Sequence, residues 1–189
     1  MNHSPLLEKA LVLLQQNNHG AIQQPILDLA CGGGRNGLYL VENNIPVVFA
    51  DVKASALEQV KNSLNDDNSG EKPTVSLWQV DFEQQGVKPL LDKSFSAIMV
   101  FRYLHRALFE QIKQAIAPGG YVIYETFTKD QPQFGRPNNP DFLLKKGELT
   151  KLFTDWQIIH SFEGVVDANN ESGKQAIAQI IAKKPIESK

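Results

Sequence analysis

The chain has 189 residues, a length that predicts a single domain over residues 1–189 with one sizeable core. Hydrophobic residues make up 42% of it, which is typical of soluble folded proteins and excludes disordered and collagen-like sequences. The 19 Lys and Arg residues against 21 Asp and Glu residues give a net charge of −2. This charge gives no electrostatic reason to bind nucleic acid or an anionic membrane, so a small-molecule partner is expected.

An amphipathic helix is predicted within residues 1–20. Ser4 suits the N-cap and Pro5 the first helical position, and apolar residues then recur at helical spacing. The apolar stretch Leu11–Leu14 is too short for a signal peptide, and no run approaches the ~20 apolar residues that would span a bilayer. Because Cys31 is the only cysteine, we expect no internal disulfide, no metal site and a cytoplasmic protein.

The chain then alternates apolar strands with helical patterns, which is the order of a parallel sheet. Strands are predicted at residues 26–30, 46–50, 75–80, 95–101 and 121–124, with two closing strands at 157–162 and 175–182. The connection 164–173 has no room for the crossover helix that parallel pairing needs, so the last strand is predicted to be antiparallel. We therefore predict an α/β fold with a seven-stranded, mostly parallel sheet and helices on both faces.

Residues 128–146 contain three prolines and a glycine, so regular structure is not expected there. Long irregular connections in compact domains usually carry function. This segment leaves the fifth strand at the edge where ligands of such sheets bind. We interpret residues 128–146 as a lid-like loop that brings Arg136 to a ligand pocket.

The residues between the first strand and the next helix form a glycine-rich turn. Gly32–Gly37 satisfies the pattern G-x-G-x-x-G in the strand–turn–helix context that this pattern requires. Glycines let a ligand approach the backbone, and the helix N-terminus offers free N–H groups to a pyrophosphate or an amino-acid carboxylate. A tight turn without a ligand is the alternative.

Three acidic residues occur in or directly after successive strands. Asp28 lies inside the first strand, where a carboxylate can hold a cation. Asp51 closes the second strand, the position at which a carboxylate accepts hydrogen bonds from both ribose hydroxyls. Asp81 closes the third strand and can bind an adenine amino group, with Phe82 or Val52 covering the base. Each acid alone would be as well explained by a helix cap or a loop.

Together these residues resemble a class I S-adenosylmethionine-dependent methyltransferase. The run Asp28–Gly34 matches that family's motif acidic-x-G-x-G-x-G, with Ala30 in place of the first glycine. The resemblance implies a Rossmann-like, doubly wound sheet and S-adenosylmethionine as the cofactor. The cofactor-binding residues that it implies are Asp28, Ala30, Gly32, Gly34, Arg35, Asn36, Asp51, Val52, Asp81, Phe82 and Phe101.

Within that family, Gly34–Leu40 and Gly147–Leu149 with Trp156 are similar to the small tellurite-resistance type. The acceptors described for this type are chalcogen oxyanions or other soft nucleophiles. The motifs specify the cofactor and leave the acceptor open, so we expect methyl transfer to a small acceptor that is anionic or a soft nucleophile. Nothing in the sequence indicates an oligomeric state.

A soft acceptor needs no general base, whereas an oxygen or amine acceptor does. Tyr103 and His105 follow the fourth strand and are the candidate bases; a helix start explains His105 equally well. Arg102 or Arg136 could hold an anionic acceptor, or simply be solvated. Glu125 ends the fifth strand and either faces the pocket or caps the strand.

Two other functions compete with methyl transfer. An NAD-dependent oxidoreductase of the short-chain kind needs a Tyr followed four residues later by Lys, and none of the four tyrosines has this lysine. Other dehydrogenases need a second domain. A non-catalytic module that binds S-adenosylmethionine has the same motifs, and it would differ in forming no S-adenosylhomocysteine.

Overall fold

The computed structural model describes residues 3–18, 24–66, 73–168 and 171–186. The helices are α1 Pro5–Asn18, α2 Arg35–Glu42, α3 Ala54–Asp66, α4 Phe109–Ala115 and α5 Glu148–Leu152. The strands are β1 Ile26–Leu29, β2 Val47–Asp51, β3 Val75–Gln79, β4 Phe95–Phe101, β5 Ile116–Phe127, β6 Gln157–Asp167 and β7 Lys174–Lys183. The predicted N-terminal helix is present from Pro5, and residues 1, 2, 19 and 20 of that prediction lie outside the described residues.

The strands form one seven-stranded sheet in the order β3-β2-β1-β4-β5-β7-β6. β1 pairs in parallel with both β2 and β4, and β7 runs antiparallel to its neighbours β5 and β6. The predicted α/β fold with an antiparallel last strand is confirmed. Successive strands spread to opposite sides of the β1–β4 pair, so the carboxyl ends of β1 and β4 flank the crevice in which doubly wound sheets bind ligands.

The start of β5 differs from the prediction. The strand was predicted at residues 121–124, but it begins at Ile116, which pairs with Phe95. The next pair is Tyr121 with Ala97, so the chain between them bulges out of the ladder. A Cβ at Gly120 would lie 2.5 Å from the backbone oxygen of Ser96. The bulge can therefore pass this close to β4 only because residue 120 is a glycine.

Apolar side chains cover both faces of the sheet. Every residue of β4 is buried, and because strand side chains alternate, its residues divide between two clusters. One cluster joins Ile98 and Val100 to α4 and α5, and the other joins Ala97 and Met99 to the first three helices. Burial on both faces explains why β4 is an uninterrupted apolar run. None of the described helices is long and apolar enough to cross a membrane.

The segment 128–146 is fastened to the body at both ends. Next to β5, Leu144 donates its N–H to the Phe127 oxygen at 2.9 Å, and Thr128 forms an isolated bridge with Leu144. Farther along, the Arg106 guanidinium donates to both carboxylate oxygens of Glu148, at 2.6 and 3.0 Å, and to the backbone oxygens of Asp141 and Leu143. Between these anchors the segment makes two single turns of 3-10 helix, at residues 131–133 and 140–142.

Candidate functional site

The glycine turn after β1 passes through left-handed backbone conformations. Ala30, Gly32 and Gly34 have φ angles of 54°, 54° and 75°. This region favours glycine, so Ala30 occupies a position where the motif's usual glycine would be unstrained. A Cβ on Gly34 would lie 2.5 Å from the Val60 side chain, whereas a Cβ on Gly32 would meet nothing within 4 Å. The turn therefore packs tightly against the body at Gly34 and faces open space at Gly32.

Asp28 lies in β1, just before this turn, and is only 2% exposed. Its Oδ2 atom accepts a hydrogen bond from the Gly37 N–H at 3.0 Å, which joins β1 to the first turn of α2. The pKa of Asp28 is raised to about 7, chiefly by burial and also by the nearby Asp51 charge, while the Gly37 N–H and the Arg35 charge oppose the shift. A cation placed beside this carboxylate would stabilise its ionised form.

The Asp51 carboxylate ties the end of β2 to the glycine turn. One oxygen, Oδ2, accepts the Gly32 N–H at 2.9 Å, and the other, Oδ1, accepts the Lys53 N–H at 2.9 Å. Each carboxylate oxygen can accept a further hydrogen bond, so the pair can still receive two hydroxyl groups. Val52 is 52% exposed beside it and offers an apolar surface next to those hydroxyls.

The residues predicted to bind adenine are placed differently from one another. Asp81 is exposed, and its Oδ1 atom accepts the Glu83 N–H at 2.8 Å. Phe82 is buried and packs edge-on against Trp78, with ring centroids 5.7 Å apart. Phe101 is also buried, in the second apolar cluster. Of Val52, Phe82 and Phe101, Val52 is therefore the one whose side chain is exposed. The cofactor contacts of Phe82 and Phe101 remain predictions.

The two candidate bases, Tyr103 and His105, and the thiol of Cys31 lie in the following environments. Burial raises the pKa of the Cys31 thiol far above its usual range, with the Asp28 and Asp51 charges adding to the shift. Burial also raises the pKa of Tyr103, together with the Glu83 carboxylate. Both groups stay protonated at neutral pH. His105 directly precedes a 3-10 turn and accepts the Leu108 N–H through its backbone oxygen.

A cavity of about 1060 Å³ opens beside α2, between the segment before α1 and the ends of β5, β6 and β7. Arg35, Arg102 and Arg136 all line it, so the loop 128–146 does bring Arg136 to the same space as the other two arginines. Tyr103 and His105 are absent from the described lining residues. The described residues also contain no group of three His, Cys, Asp or Glu side chains placed to hold a metal ion.

Glu125 is the centre of a buried polar cluster in the wall of this cavity. Its side chain is 4% exposed and pairs with Arg102 Nη2 at 3.0 Å. Its other oxygen accepts hydrogen bonds from Ser4 Oγ at 3.0 Å and from Gln179 Nε2 at 2.6 Å. The Ser4 N–H in turn donates to Asn36 Oδ1 at 2.9 Å. Glu125 therefore faces the cavity, and Asn36 binds the N-terminal segment.

Sequence reasoning missed part of this wall. Ser4 was considered only as an N-cap, which it does provide by accepting the Leu6 N–H at 3.3 Å, and Gln179 was considered only as part of a strand. The signal for Gln179 was a polar residue inside the apolar strand β7. His3 was also missed: it lines the cavity, its ring stacks on Tyr39 with centroids 3.6 Å apart, and it contacts the Glu8 carboxylate at 3.1 Å.

Comparison with known proteins places this geometry in a family. The family model described as "Methyltransferase domain" matches residues 26–120, which run from β1 into the start of β5. A curated relative from Haemophilus influenzae, the probable S-adenosyl-L-methionine-dependent methyltransferase TehB, is 26% identical over 170 residues. The match covers 84% of this chain and 57% of that protein, so the chain spans little more than half of this relative's length.

Solved structures show the same fold. The crystal structure of TehB from Haemophilus influenzae has a TM-score of 0.73 at 20% identity, covering 97% of this chain and 62% of that one. A SAM-dependent methyltransferase from Methanosarcina mazei has a TM-score of 0.68 at 16% identity, covering 99% of this chain and 100% of that one. The predicted resemblance to class I S-adenosylmethionine-dependent methyltransferases is confirmed, with similarity to TehB, and nothing in these matches supports the oxidoreductase alternative. The chain therefore belongs to the methyltransferase domain family.

Proposed function

We propose that this protein transfers a methyl group from S-adenosylmethionine to a small-molecule acceptor bound in the arginine-lined cavity. The observation that carries this proposal is the position of that cavity: it adjoins α2, whose first turn is joined to Asp28. The proposal includes a single domain over residues 1–189, because both apolar clusters pack on one sheet. It also includes the cytoplasm as the location, where the free thiol of Cys31 stays reduced.

The residues at the carboxyl ends of β1, β2 and β3 fit this cofactor. Asp28 would face its ammonium group, Asp51 its two ribose hydroxyls and Asp81 its adenine amino group, with Val52 against the base. The open space at Gly32 leaves room for the cofactor to lie against the backbone. When bound, S-adenosylmethionine supplies a methyl group already activated by its sulfonium, so the protein's task is to align the acceptor.

The cavity suits an acceptor that is anionic or a soft nucleophile. Alignment of two reactants can contribute about 7–11 kcal/mol, enough for a soft nucleophile to react without a base. The protonated state of Tyr103 favours such an acceptor, because its phenolate is scarce at neutral pH. The arginines favour a negative charge on the acceptor, and the net charge of −2 again favours a small molecule over nucleic acid.

Asp51→Ala should weaken S-adenosylmethionine binding by about 1.5–3 kcal/mol, the range for hydrogen bonds that involve a charged group. The variant loses both acceptors for the ribose and also releases the Gly32 N–H. Calorimetric titration measures the change, and circular dichroism checks that the fold is retained. An unchanged affinity in a folded variant would remove Asp51 from the site.

Arg136→Ala should lower kcat/KM for the acceptor and leave cofactor affinity nearly unchanged. Arg136 lines the cavity, but its side chain is exposed and lies on the loop, away from Asp28 and Asp51. Steady-state kinetics with the identified acceptor gives the first quantity and calorimetry the second. Equal kcat/KM in both proteins would mean that Arg136 is a solvated surface residue.

The proposed function is tested by incubating the protein with methyl-labelled S-adenosylmethionine and fractionated cell metabolites. Mass spectrometry should find a labelled product together with S-adenosylhomocysteine. Binding of the cofactor without either product, across all fractions, would favour the non-catalytic binding module. Asp51→Ala serves as the matched control, since label transfer should fall with cofactor affinity.

A further inference from the structure

The chain directs the Arg102 side chain into the cavity at the cost of backbone strain. Arg102 follows β4 directly and has a φ of 58°, a left-handed conformation that favours glycine. Its N–H donates to the Glu125 backbone oxygen at 2.8 Å, which holds this conformation against β5. Strained residues held in this way concentrate at functional sites.

The guanidinium of Arg102 is fixed on one edge and on one face. Its Nη2 atom pairs with Glu125 Oε1 at 3.0 Å, and its carbon lies 4.5 Å from the centroid of the Phe127 ring. Glu125 is itself buried and accepts hydrogen bonds from Ser4 and Gln179, so it holds this edge of the Arg102 guanidinium in place. The side chain of Arg102 remains 24% exposed, and it lines the cavity.

One donor of this guanidinium lacks a partner. Nη1 is buried and makes no hydrogen bond within the described parts of the chain. A buried donor of a charged group without an acceptor is costly, and native structures rarely contain one. An oxyanion in the cavity would supply the missing acceptor if the side chains that cover Nη1 move aside.

The charged side chains that line the cavity with Arg102 also favour the binding of an anion. Arg35, Arg136 and Lys9 line the same cavity, and so do the carboxylates of Glu8 and Asp167. With Arg102, the Lys and Arg side chains outnumber the carboxylates of the described lining, and the carboxylate of Glu125 is already shared between Arg102, Ser4 and Gln179. Burial lowers the pKa of Arg102, Glu125 opposes this effect, and the nearby positive charge of Arg35 adds to it. Two like charges facing one cavity are relieved when a negative group binds between them.

We propose that Arg102, positioned by Glu125, binds a carboxylate of the methyl acceptor. One edge of the planar guanidinium pairs with Glu125 and one face stacks on Phe127. A second edge remains, and its geometry suits the two oxygens of a carboxylate. Phe127 and Ile177 line the cavity and provide contact for an apolar body attached to that carboxylate. The acceptor is therefore a small carboxylic acid, anchored by this group and methylated at another atom.

This inference rests on the proposed function, and a second source of the carboxylate has to be distinguished. The methionine part of the cofactor also carries a carboxylate. Arg35, at the start of α2, lines the cavity and could face either carboxylate. Arg102 itself is held from the β5–β7 side of the cavity, by Glu125 and through it Gln179, whereas the residues proposed for the cofactor lie in or directly after β1, β2 and β3, and this position favours the acceptor.

The test compares benzoate with its uncharged analogue benzamide, titrated into protein saturated with S-adenosylhomocysteine. The wild type should bind benzoate roughly tenfold or more tightly than benzamide, as charge-assisted pairing predicts. Arg102→Gln should abolish this preference. Arg102→Lys keeps the charge beside Glu125 and therefore the fold, and it should lose most of the preference with the guanidinium fork. Lys61→Gln, which removes a 58% exposed cation on α3, should retain it.

A second titration identifies the carboxylate. S-adenosylmethionine and 5′-methylthioadenosine, which lacks the amino-acid part, are titrated into wild type and Arg102→Gln. Equal affinities in the two proteins support the acceptor assignment. A selective loss for S-adenosylmethionine would assign Arg102 to the cofactor and overturn the proposal, as would a benzoate preference that survives both Arg102 substitutions. Failure of the wild type to bind either nucleoside would overturn the proposed function, and the acceptor assignment with it.

Discussion

Asp28→Asn should weaken S-adenosylmethionine binding by about 2–5 kcal/mol at pH 7.5, the cost of truncating one partner of a buried charge pair. The substitution keeps the shape of the side chain and an oxygen for the Gly37 N–H, which lies 3.0 Å from Oδ2. What it removes is the negative charge that would face the cofactor's ammonium group. Calorimetry measures the loss, and an unchanged thermal unfolding profile shows that the fold is kept.

The same pair of proteins should show a distinct pH dependence. The pKa of Asp28 is raised to about 7, so the carboxyl is mostly protonated at pH 6 and mostly ionised at pH 8. A bound cation favours the ionised form, so cofactor affinity should rise with pH through this interval, about tenfold from the change in ionised fraction, with release of a proton.

The amine of the cofactor also titrates, with a pKa of about 7.7–8.0. Its effect is the same for both proteins, so the ratio of wild-type to Asp28→Asn affinity at each pH isolates the effect of Asp28. This ratio should increase from about pH 5.5 to about pH 8 and then level off. A ratio that is constant across the interval would show that Asp28 does not interact with the charge of the cofactor.

Gly37→Ala should lower the free energy of unfolding by about 1–3 kcal/mol and the Tm by roughly 3–10 °C. A Cβ at this position would overlap the ring of Phe49, which is fully buried, and would lie 2.8 Å from Asp28 Oδ2. Neither neighbour is a flexible chain end, so relief requires α2 to move away from the sheet. Thermal and denaturant unfolding measure the loss.

Gly33→Ala is the matched control for Gly37→Ala. A Cβ there would meet the end of the flexible Gln59 side chain at 3.1 Å, which can move aside at little cost. The control should unfold within about 0.5 kcal/mol of the wild type. Equal stability of the two variants would mean that the close packing of α2 on Phe49 is not a constraint on the turn.

The sequence predicted the cofactor side of the site because its signals are local. Asp28, Asp51 and Asp81 each occur in or next to a strand of recognisable pattern, and parallel strands bring such positions to one edge of the sheet. The choice between Phe82 and Val52 could not be predicted in this way. It depends on which of them the rest of the chain buries, and Trp78 packs on Phe82.

The other side of the site could not be predicted because its partners are far apart along the chain. Ser4 and Gln179 lie 121 and 54 residues from Glu125, to which both donate hydrogen bonds. No periodicity links such positions, and each residue alone has an ordinary explanation as a cap or as part of a strand. The prediction that Arg102 or Arg136 faces a pocket came from their places in the chain, and the pairing of Arg102 with Glu125 came only from the fold.

Most residues of the polar cluster around Glu125 lie outside the part of the chain that the family model matches. The family model ends at residue 120, whereas Ser4, Glu125 and Gln179 all lie beyond its limits. The stretch that the family model matches contains the residues proposed for the cofactor together with Arg102, whereas the residues that position Arg102 lie outside it. We therefore expect proteins that share the pattern of residues 26–120 to differ in what they methylate, and a search for the acceptor is best guided by proteins that match this chain at residues 4, 102, 125 and 179.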